Sequence, residues 1–218
     1  MTEFLDFNDI EVKPKYKDKY KGVPGEKHRI AIIWPEKEDP TRGKGPFVMK
    51  NTHFADKYFI CKDGICCEKV GPSKSRMACL IVKYKTKKDG TLLKREGEAI
   101  PFDFEVLEWV FTDKKFGQLK ALHGEWDLKN HDITVTCGGN EQYQDLDFTP
   151  CKESIWQLKP EFKAAIYKDS ETMRTYLPKA LGQDLSIDEI KELLGLGIAQ
   201  TSEVISSETD LNDILETV

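Results

Sequence analysis

The sequence predicts an α+β fold that is mainly β, with packed helices near its C-terminus. Short β-branched and apolar runs, separated by loops rich in Gly and Pro, fill the chain to about residue 158, and helical signals follow. Charge is also divided along the chain. Leu181–Val218 carries nine acidic residues and one lysine, whereas Thr41–Arg95 carries fourteen Lys or Arg and four acids. We therefore expect a basic surface that binds a polyanion and an acidic terminus that competes with it or recruits a partner.

Length and composition exclude several classes of protein. The 218 residues allow one domain of ordinary size and a tail. No apolar run approaches the roughly 20 residues of a membrane span. Met1–Asp9 is acidic and aromatic, unlike a secretory signal, so we expect a cytoplasmic protein. In that compartment the six cysteines are reduced thiols or metal ligands rather than disulfides.

The N-terminal residues 1–27 are predicted to form a basic arm. Lys13–Gly25 alternates lysine with other residues and contains two prolines and two glycines, a composition that disfavours a helix. The arm is either a solvated linker or a segment that lies on phosphates or on a neighbouring subunit.

The predicted strands follow from His28 onward. Met77–Val82 is apolar throughout, as expected of a strand that is buried on both faces. The predicted strands are Arg29–Trp34, Phe47–Phe54, Lys57–Lys62, Arg76–Lys85 and Ala99–Phe104.

A helix is predicted at Glu105–Leu122 from apolar residues near helical spacing, and a closing hairpin from Asp132–Cys137 and Tyr143–Phe148 around two glycines. Strands, a helix and a hairpin in this order are typical of an OB-fold, a five-stranded Greek-key barrel. We assign it to residues 28–158, with a Cys/His hairpin at 53–67.

The C-terminal part is predicted to be helical and then disordered. Pro160–Ile166 has proline in the first turn of a helix, and Ser186 with Glu189 has the spacing of a capping box. The helical extension covers residues 159–200. Residues 201–218 are rich in Ser, Thr and acids and are predicted to be a disordered tail.

Four potential metal ligands lie within fifteen residues: His53, Cys61, Cys66 and Cys67. Imidazole and thiolates are the ligands of structural zinc. A type I′ turn at Asp63-Gly64 would place Cys61 opposite Cys66 in a hairpin, with Cys67 pointing away. The pattern therefore leaves two interpretations open, a zinc site or buried cysteines in a metal-free hairpin.

Aromatic residues alternate with basic ones, a pattern that favours single-stranded nucleic acid, because rings stack on bases while Lys and Arg follow phosphates. Tyr84 and Tyr143 are the strongest platform candidates, and each ring has the alternative of a place in the core. The candidate nucleic-acid-binding residues are Trp34, Arg42, Lys44, Lys57, Tyr58, Lys74, Arg76, Lys83, Tyr84, Lys85 and Tyr143.

Enzyme signatures are absent from the sequence. It contains no phosphate-binding glycine loop, no glycine-flanked serine and no zinc-protease histidine pair. Cys79 with His123 or His131 is the remaining nucleophile and base combination, and buried free cysteines are common without such a role. We expect no enzymatic activity.

The order of these segments resembles the single-stranded DNA-binding (helix-destabilising) proteins of T-even-type phages. The similarity covers about Glu26–Val218, and its segments are RIAIIWP (29–35), PFVMKNTHF (46–54), Cys61–Cys67, SKSRMACLIVK (73–83), DITVTC (132–137), QYQDLDF (142–148) and ETDLNDIL (208–215).

The resemblance implies an OB-fold with a zinc subdomain, a basic aromatic cleft for single strands and an acidic tail that contacts replication and recombination proteins. One histidine and three cysteines hold zinc in that family, a set that maps onto His53, Cys61, Cys66 and Cys67. This chain departs from the pattern because its last two cysteines are adjacent. The family's basic N-terminal cooperativity motif is also unmatched, although self-association along DNA remains an expectation.

The function expected from the sequence is sequence-independent coating of single-stranded DNA in phage replication, recombination and repair, in the cytoplasm of the infected host. A zinc-containing protein–protein adaptor and an RNA-binding regulator on the same barrel are the alternatives. The partner-binding residues of the tail are predicted to be Asp210, Leu211, Asp213, Ile214, Leu215 and Glu216.

Overall fold

A computed structural model describes residues 19–36, 45–62, 64–98, 100–140 and 144–196. Within these residues, seven strands pair in an antiparallel sheet, and helices cover it. The strands are β1 (Lys27–Ile32), β2 (Val48–Ala55), β3 (Lys57–Ile60), β4 (Lys74–Tyr84), β5 (Phe104–Thr112), β6 (Ile133–Gly139) and β7 (Gln144–Pro150). The helices are α1 (Ile65–Val70), α2 (Asp113–Trp126), α3 (Pro160–Tyr176) and α4 (Ile187–Leu193), with 3-10 turns at Ile155–Gln157 and Leu177–Ala180.

Strand β4 is the centre of the sheet because three strands pair with it. One of its edges pairs with β2 near its start and with β1 near its end, and its other edge pairs with β5. The continuous path through the sheet is β3-β2-β4-β1-β6-β7.

Both faces of β4 are buried, as its apolar run predicts. Met77, Cys79 and Ile81 face a core that includes Leu119 of α2. The alternate residues Ala78, Leu80 and Val82 face a second core, which includes Phe162 and Ile166 of α3. The predicted α+β class is confirmed, since helices pack on both faces of a mainly antiparallel sheet.

The sheet is open. Strand β5 pairs with β4, strand β7 pairs with β6, and the two do not pair with each other among the described residues. The closed five-stranded barrel predicted from the element order is therefore not formed by this part of the chain.

The helix predicted at Glu105–Leu122 is wrong in its first half. Residues Phe104–Thr112 form β5, which runs along β4 for its full length, and α2 begins only at Asp113. Val106 and Val110 are four residues apart, a spacing that places side chains on one face of a strand as well as of a helix. The strand predicted at Ala99–Phe104 is also displaced, because Phe102 forms only an isolated bridge to Lys94.

The predicted basic arm ends before residue 27. Tyr20 is buried in the first core, its amide N–H donates to the carbonyl of Glu108, and its ring contacts Trp109. Tyr20 thus belongs to the packed structure, whereas residues 1–18 lie outside the described residues.

The C-terminal helices agree with their sequence signals. Helix α3 begins at Pro160, and the capping box of α4 is formed by Ser186 and Glu189, each of whose side chains accepts from the other's backbone N–H. No helix among the described residues combines the length and the apolarity needed to cross a lipid bilayer.

Candidate metal centre and nucleic-acid surface

Strands β2 and β3 form a hairpin that presents different chemistry on its two faces. The chain turns at Asp56, whose φ of 53° is one that Asp tolerates better than most residues. Residues directly opposite in an antiparallel pair share a face, so His53 and Phe59 lie on one side. Phe54 and Tyr58 lie on the other side.

The first face carries a cluster of four metal-binding side chains, the His/Cys cluster of His53, Cys61, Cys66 and Cys67. Their ligand atoms all lie within 4.8 Å of one another. Cys61 Sγ is 3.2 Å from His53 Nε2, 3.6 Å from Cys66 Sγ and 3.4 Å from Cys67 Sγ. Tetrahedral zinc with ordinary bond lengths places its ligand atoms about 3.5 to 3.8 Å apart. The cluster therefore has the size of a four-ligand metal site.

Helix α1 explains how two adjacent cysteines enter one cluster. The hairpin predicted around Asp63-Gly64 is wrong, because β2 and β3 already form the hairpin and the chain beyond Ile60 leaves the sheet for α1. Neighbouring residues point to opposite sides of a strand but are only about 100° apart around a helix. Cys66 and Cys67 at the start of α1 can therefore both face Cys61 and His53.

The surroundings of the cluster suit a structural metal site. Cys66 is 1 % exposed, and the His53 ring stacks on the buried ring of Phe59 at a centroid distance of 5.5 Å. All six cysteines are free thiols, so no disulfide competes for the sulfur atoms. The four potential ligands thus lie together, and the buried Phe59 shields the cluster from solvent on the side that faces the protein interior.

The second face of the hairpin carries an exposed pair of aromatic rings. Phe54 is 59 % exposed and Tyr58 is 44 % exposed, and their centroids lie 4.9 Å apart. The guanidinium of Arg76, on the adjoining end of β4, lies 3.6 Å from the centroid of the Tyr58 ring. We call Phe54, Tyr58 and Arg76 the aromatic platform.

The platform is flanked by lysines on the same face of the sheet. Lys50 is directly opposite Arg76 in the register, and Lys74 lies two residues before Arg76. Neither lysine forms an ion pair with another residue that the structure describes. Burial lowers the pKa of Arg76 from its ordinary value, while the neighbouring Tyr58 acts in the opposite direction. Arg76 nevertheless keeps its charge at neutral pH, because the ordinary pKa of an arginine lies far above neutral.

The structure therefore brings together three of the sequence-predicted binding residues, Tyr58, Lys74 and Arg76. Lys57 belongs to the same hairpin but is opposite Ala55, on the other face from the platform. Lys83, Tyr84 and Lys85 lie at the far end of β4, at least seven residues or about 23 Å from Arg76.

Tyr84 is wrong as a stacking platform. Its side chain is fully buried. Its hydroxyl donates to Asp132 Oδ1 at 3.3 Å and accepts from the backbone N–H of Trp156 at 3.2 Å. Burial and the neighbouring Asp132 raise the pKa of Tyr84 well above its usual value, so the hydroxyl remains a donor. A ring enclosed in this way cannot meet a nucleobase.

The cations beside Tyr84 are balanced by carboxylates. Lys83 is directly opposite Glu105 in the register, and Lys85 Nζ is 3.9 Å from Asp103. These four residues and Arg95 line a cavity of about 400 Å³, in which Asp103 also pairs with Arg95. The balanced charge makes this end of β4 a weaker attractant for phosphate than the platform.

The other predicted binding residues fall into two groups. Trp34 is half-buried against the first core, and its ring lies 5.4 Å from that of His123 on α2, away from the platform. Arg42, Lys44, Tyr143 and the tail residues 210–216 lie outside the described residues.

Phe54 of the platform and the flanking Lys50 are residues that the sequence-based selection misses. Their signal was present in the chain, because Phe54 and Tyr58 flank Asp56 symmetrically. Pairing the predicted strands 47–54 and 57–62 as a hairpin would place the two rings side by side. The selection fails because the sequence analysis places the turn of the hairpin at Asp63-Gly64 instead of at Asp56.

The two faces of one hairpin can thus hold a metal ion and present rings and cations to a ligand. Rings stacked beside free lysines are able to bind unpaired bases and their phosphates. Comparison of this chain with protein-family models, with curated proteins and with solved structures gives no match.

Proposed function

We propose that this protein binds single-stranded DNA without sequence preference, and coats exposed strands during phage DNA replication, recombination and repair. The aromatic platform is the observation that carries the proposal. Bases of a single strand would stack on Phe54 and Tyr58, while Lys50, Lys74 and Arg76 would meet the phosphates. The resemblance to the T-even-type phage proteins supports the same function, in which the sheet would bind the single strand as an OB-fold does.

Charge around the platform supports this choice of ligand. Residues 45–77 contain six Lys or Arg and three acids. Of the six, Lys62 pairs with Asp184, while Lys50, Lys57, Lys69 and Lys74 form no ion pair with a described residue. Lys50 and Lys74 lie on the face that carries the exposed rings, and their positive charge attracts a flexible polyanion.

We further propose that the His/Cys cluster holds zinc in a structural role. A histidine and three thiolates form a complete tetrahedral set, which leaves no open position for a substrate. Zinc bound there would fix α1 against the hairpin. His53 and Cys61 would hold it from the hairpin, and Cys66 and Cys67 from the helix.

Titration of the protein with oligo(dT) at several salt concentrations tests the DNA-binding proposal. Three phosphate contacts, from Lys50, Lys74 and Arg76, would give a log–log salt slope of about −2. Because stacking requires unpaired bases, duplex DNA of the same length should bind more weakly. A slope near zero, or equal affinity for the duplex, overturns the proposal, and preference for oligo(rU) would indicate an RNA-binding protein instead.

Two pairs of variants separate the platform from general effects. Tyr58→Ala should weaken oligo(dT) binding by about 1 to 3 kcal/mol. Its control is Trp126→Ala, since Trp126 is also 44 % exposed but lies at the end of α2. Lys74→Gln should reduce the salt slope by about 0.7. Its control is Lys152→Gln, just beyond β7 at the opposite edge of the sheet.

A further inference from the structure

The outer edge of β3 is covered by a short segment of the C-terminal part of the chain. This segment, Leu181–Leu185, is called the strap. The Gln183 N–H donates to the Tyr58 carbonyl, and the Ile60 N–H donates to the Gln183 carbonyl, each at 2.9 Å. A Cβ at Gly182 would lie 3.2 Å from the backbone of Phe59, so the two backbones are in close contact. The strap therefore acts as an additional strand beside the hairpin.

The strap also fixes the aromatic platform. Arg76 Nη1 donates to the Leu181 carbonyl at 2.5 Å, which holds its guanidinium over Tyr58. Tyr58 itself is bonded to the strap through its carbonyl. Two of the three platform residues thus depend on the position of residues 181–183.

Helix α4 anchors the strap to the His/Cys cluster. Ile190 is 2 % exposed and packs in one small core with Phe59 and Cys66. Leu185, Leu193 and Leu194 pack against the same core. Cys66 is a metal ligand in the proposed site and Phe59 stacks on the ligand His53, so α4 rests directly on the metal-binding residues.

Neither α1 nor α4 can be stable alone. Isolated helices shorter than about 12 residues are marginal in water, and α1 and α4 have six and seven residues. Among the described residues, the small core between them contains three fully buried side chains. A bound metal ion can hold the shape of a unit whose core is this small.

From these contacts we propose that the metal site acts as a latch for the C-terminal segment. With metal bound, α1 gives α4 a fixed surface, α4 holds the strap, and the strap orders Arg76 and Tyr58. Without metal, α4 and residues 183–185 of the strap detach from β3, while the large sheet and Leu181, which is buried in the second core, stay in place. The proposal builds on the DNA-binding function, because it makes metal occupancy the regulator of the platform.

Hydrogen exchange of the full-length protein before and after metal removal tests the latch. Removal should speed amide exchange at least tenfold in residues 183–194 together with residues 60–70. Amides of β6, such as Val135, serve as the internal control and should be unchanged, because β6 is paired on both edges, with β1 and β7. Unchanged exchange in 183–194 overturns the latch, and so does a purified protein that contains no metal and binds none.

Coupling must act in both directions, which gives a second measurement. Ile190→Ala removes the anchor from the helix side and should lower zinc affinity about fivefold or more, measured by competition with a chromophoric chelator. Ile187→Ala is the matched control, because Ile187 is 54 % exposed on the same helix. If Ile190→Ala proves unfolded, Gly182→Ala displaces the strap instead and should also weaken zinc binding. Equal affinities in all variants would refute the latch.

Failure of the latch can be distinguished from failure of the DNA-binding proposal. Oligo(dT) titration of the metal-loaded and metal-free proteins should show tighter binding by the loaded form. Coupled exchange without any DNA binding would leave the latch standing and overturn the proposed function. DNA binding that does not respond to metal would preserve the function and refute the regulation.

Discussion

Asp132 is a buried carboxylate that joins three segments, since it accepts from Arg29 of β1, from Tyr84 at the end of β4 and from Ser154 beyond β7. It is fully buried, and its oxygens accept from Arg29 Nε at 2.9 Å and from the Ser154 hydroxyl at 2.8 Å. Burial raises the pKa of Asp132, while Arg29 opposes that shift. A buried charge is tolerated only when it is paired in this way. Tyr84 completes the network by donating its hydroxyl to the same carboxylate.

Tyr84→Phe should therefore destabilise the protein and leave DNA binding unchanged. The substitution removes one hydrogen-bond donor from Asp132 and leaves the buried backbone N–H of Trp156 without its acceptor. We expect a loss of about 1 to 3 kcal/mol in the free energy of unfolding, measured by urea denaturation. Weakened oligo(dT) binding with unchanged stability would show instead that the ring is accessible to DNA.

Glu108 provides a pH-dependent test of burial. It is 3 % exposed, one carboxylate oxygen has no hydrogen-bond partner among the described residues, and burial raises its pKa while Lys19 opposes the shift. A carboxyl whose pKa is higher in the folded state favours folding while it is protonated, and this contribution is lost as pH rises through the folded-state pKa.

Glu108→Gln should consequently gain stability relative to the wild type as pH rises from about 4 to 7. The readout is the difference in Tm between variant and wild type across that range, since the amide itself does not titrate. A difference that is constant or falls with pH would mean that the carboxyl is not held in a desolvated site.

At the scale of elements, the proposed zinc site links the hairpin β2–β3 to helix α1. Purified protein should contain about one zinc per chain, and chelation should lower its Tm, because four ligands link two otherwise weak elements. Cys67→Ser should lose the metal and the response to chelator. Cys151→Ser is the control, since Cys151 is also a half-buried thiol but bonds to Thr134 outside the cluster. If the protein contains no zinc and its Tm does not change on chelation, the cysteines of the cluster are ordinary packing residues.

Elements with a single dominant signal are predicted well from the sequence. The unbroken apolar run of β4 indicates burial on both faces, and Ser186 with Glu189 marks the start of α4. Strand β5 is missed because its burial depends on pairing with β4, and a spacing of four residues fits both a strand and a helix. The four members of the His/Cys cluster are predictable, since they lie close in sequence. Their arrangement is not, because α1 has only six residues and forms against the hairpin.

The same limit applies to the nucleic-acid surface. Alternation of basic and aromatic residues selects Tyr58 and Tyr84 alike, yet one is exposed and the other is fully buried. The distinction comes from the sheet, which places residue 84 beneath the network of Asp132 and residue 58 on an edge hairpin. Local pattern cannot reveal which face of a strand a distant helix will cover.

At the scale of the whole molecule, charge is separated along the chain. The chain carries a net charge of −5, and Glu203–Val218 alone contributes five acids and no base. The remainder is therefore neutral overall, with its excess of cations in residues 41–95. The acidic segment Glu203–Val218 can compete with DNA for the cations of the platform. It can also present Leu211, Ile214 and Leu215, which are at helical spacing, to a partner.

Deleting Glu203–Val218 should tighten binding to oligo(dT), and most strongly at low ionic strength. Electrostatic competition acts over a Debye length of about 30 Å at 0.01 M salt but only about 8 Å at 0.15 M. The control replaces the five acids of this segment by their amides in the full-length chain, which removes charge and keeps length. Both variants should bind more tightly than the wild type at 0.01 M salt, and the advantage should shrink as salt rises. If the truncated protein binds with unchanged affinity at low salt, the tail does not compete with DNA. A pull-down with replication proteins would then decide whether recruitment is its remaining role.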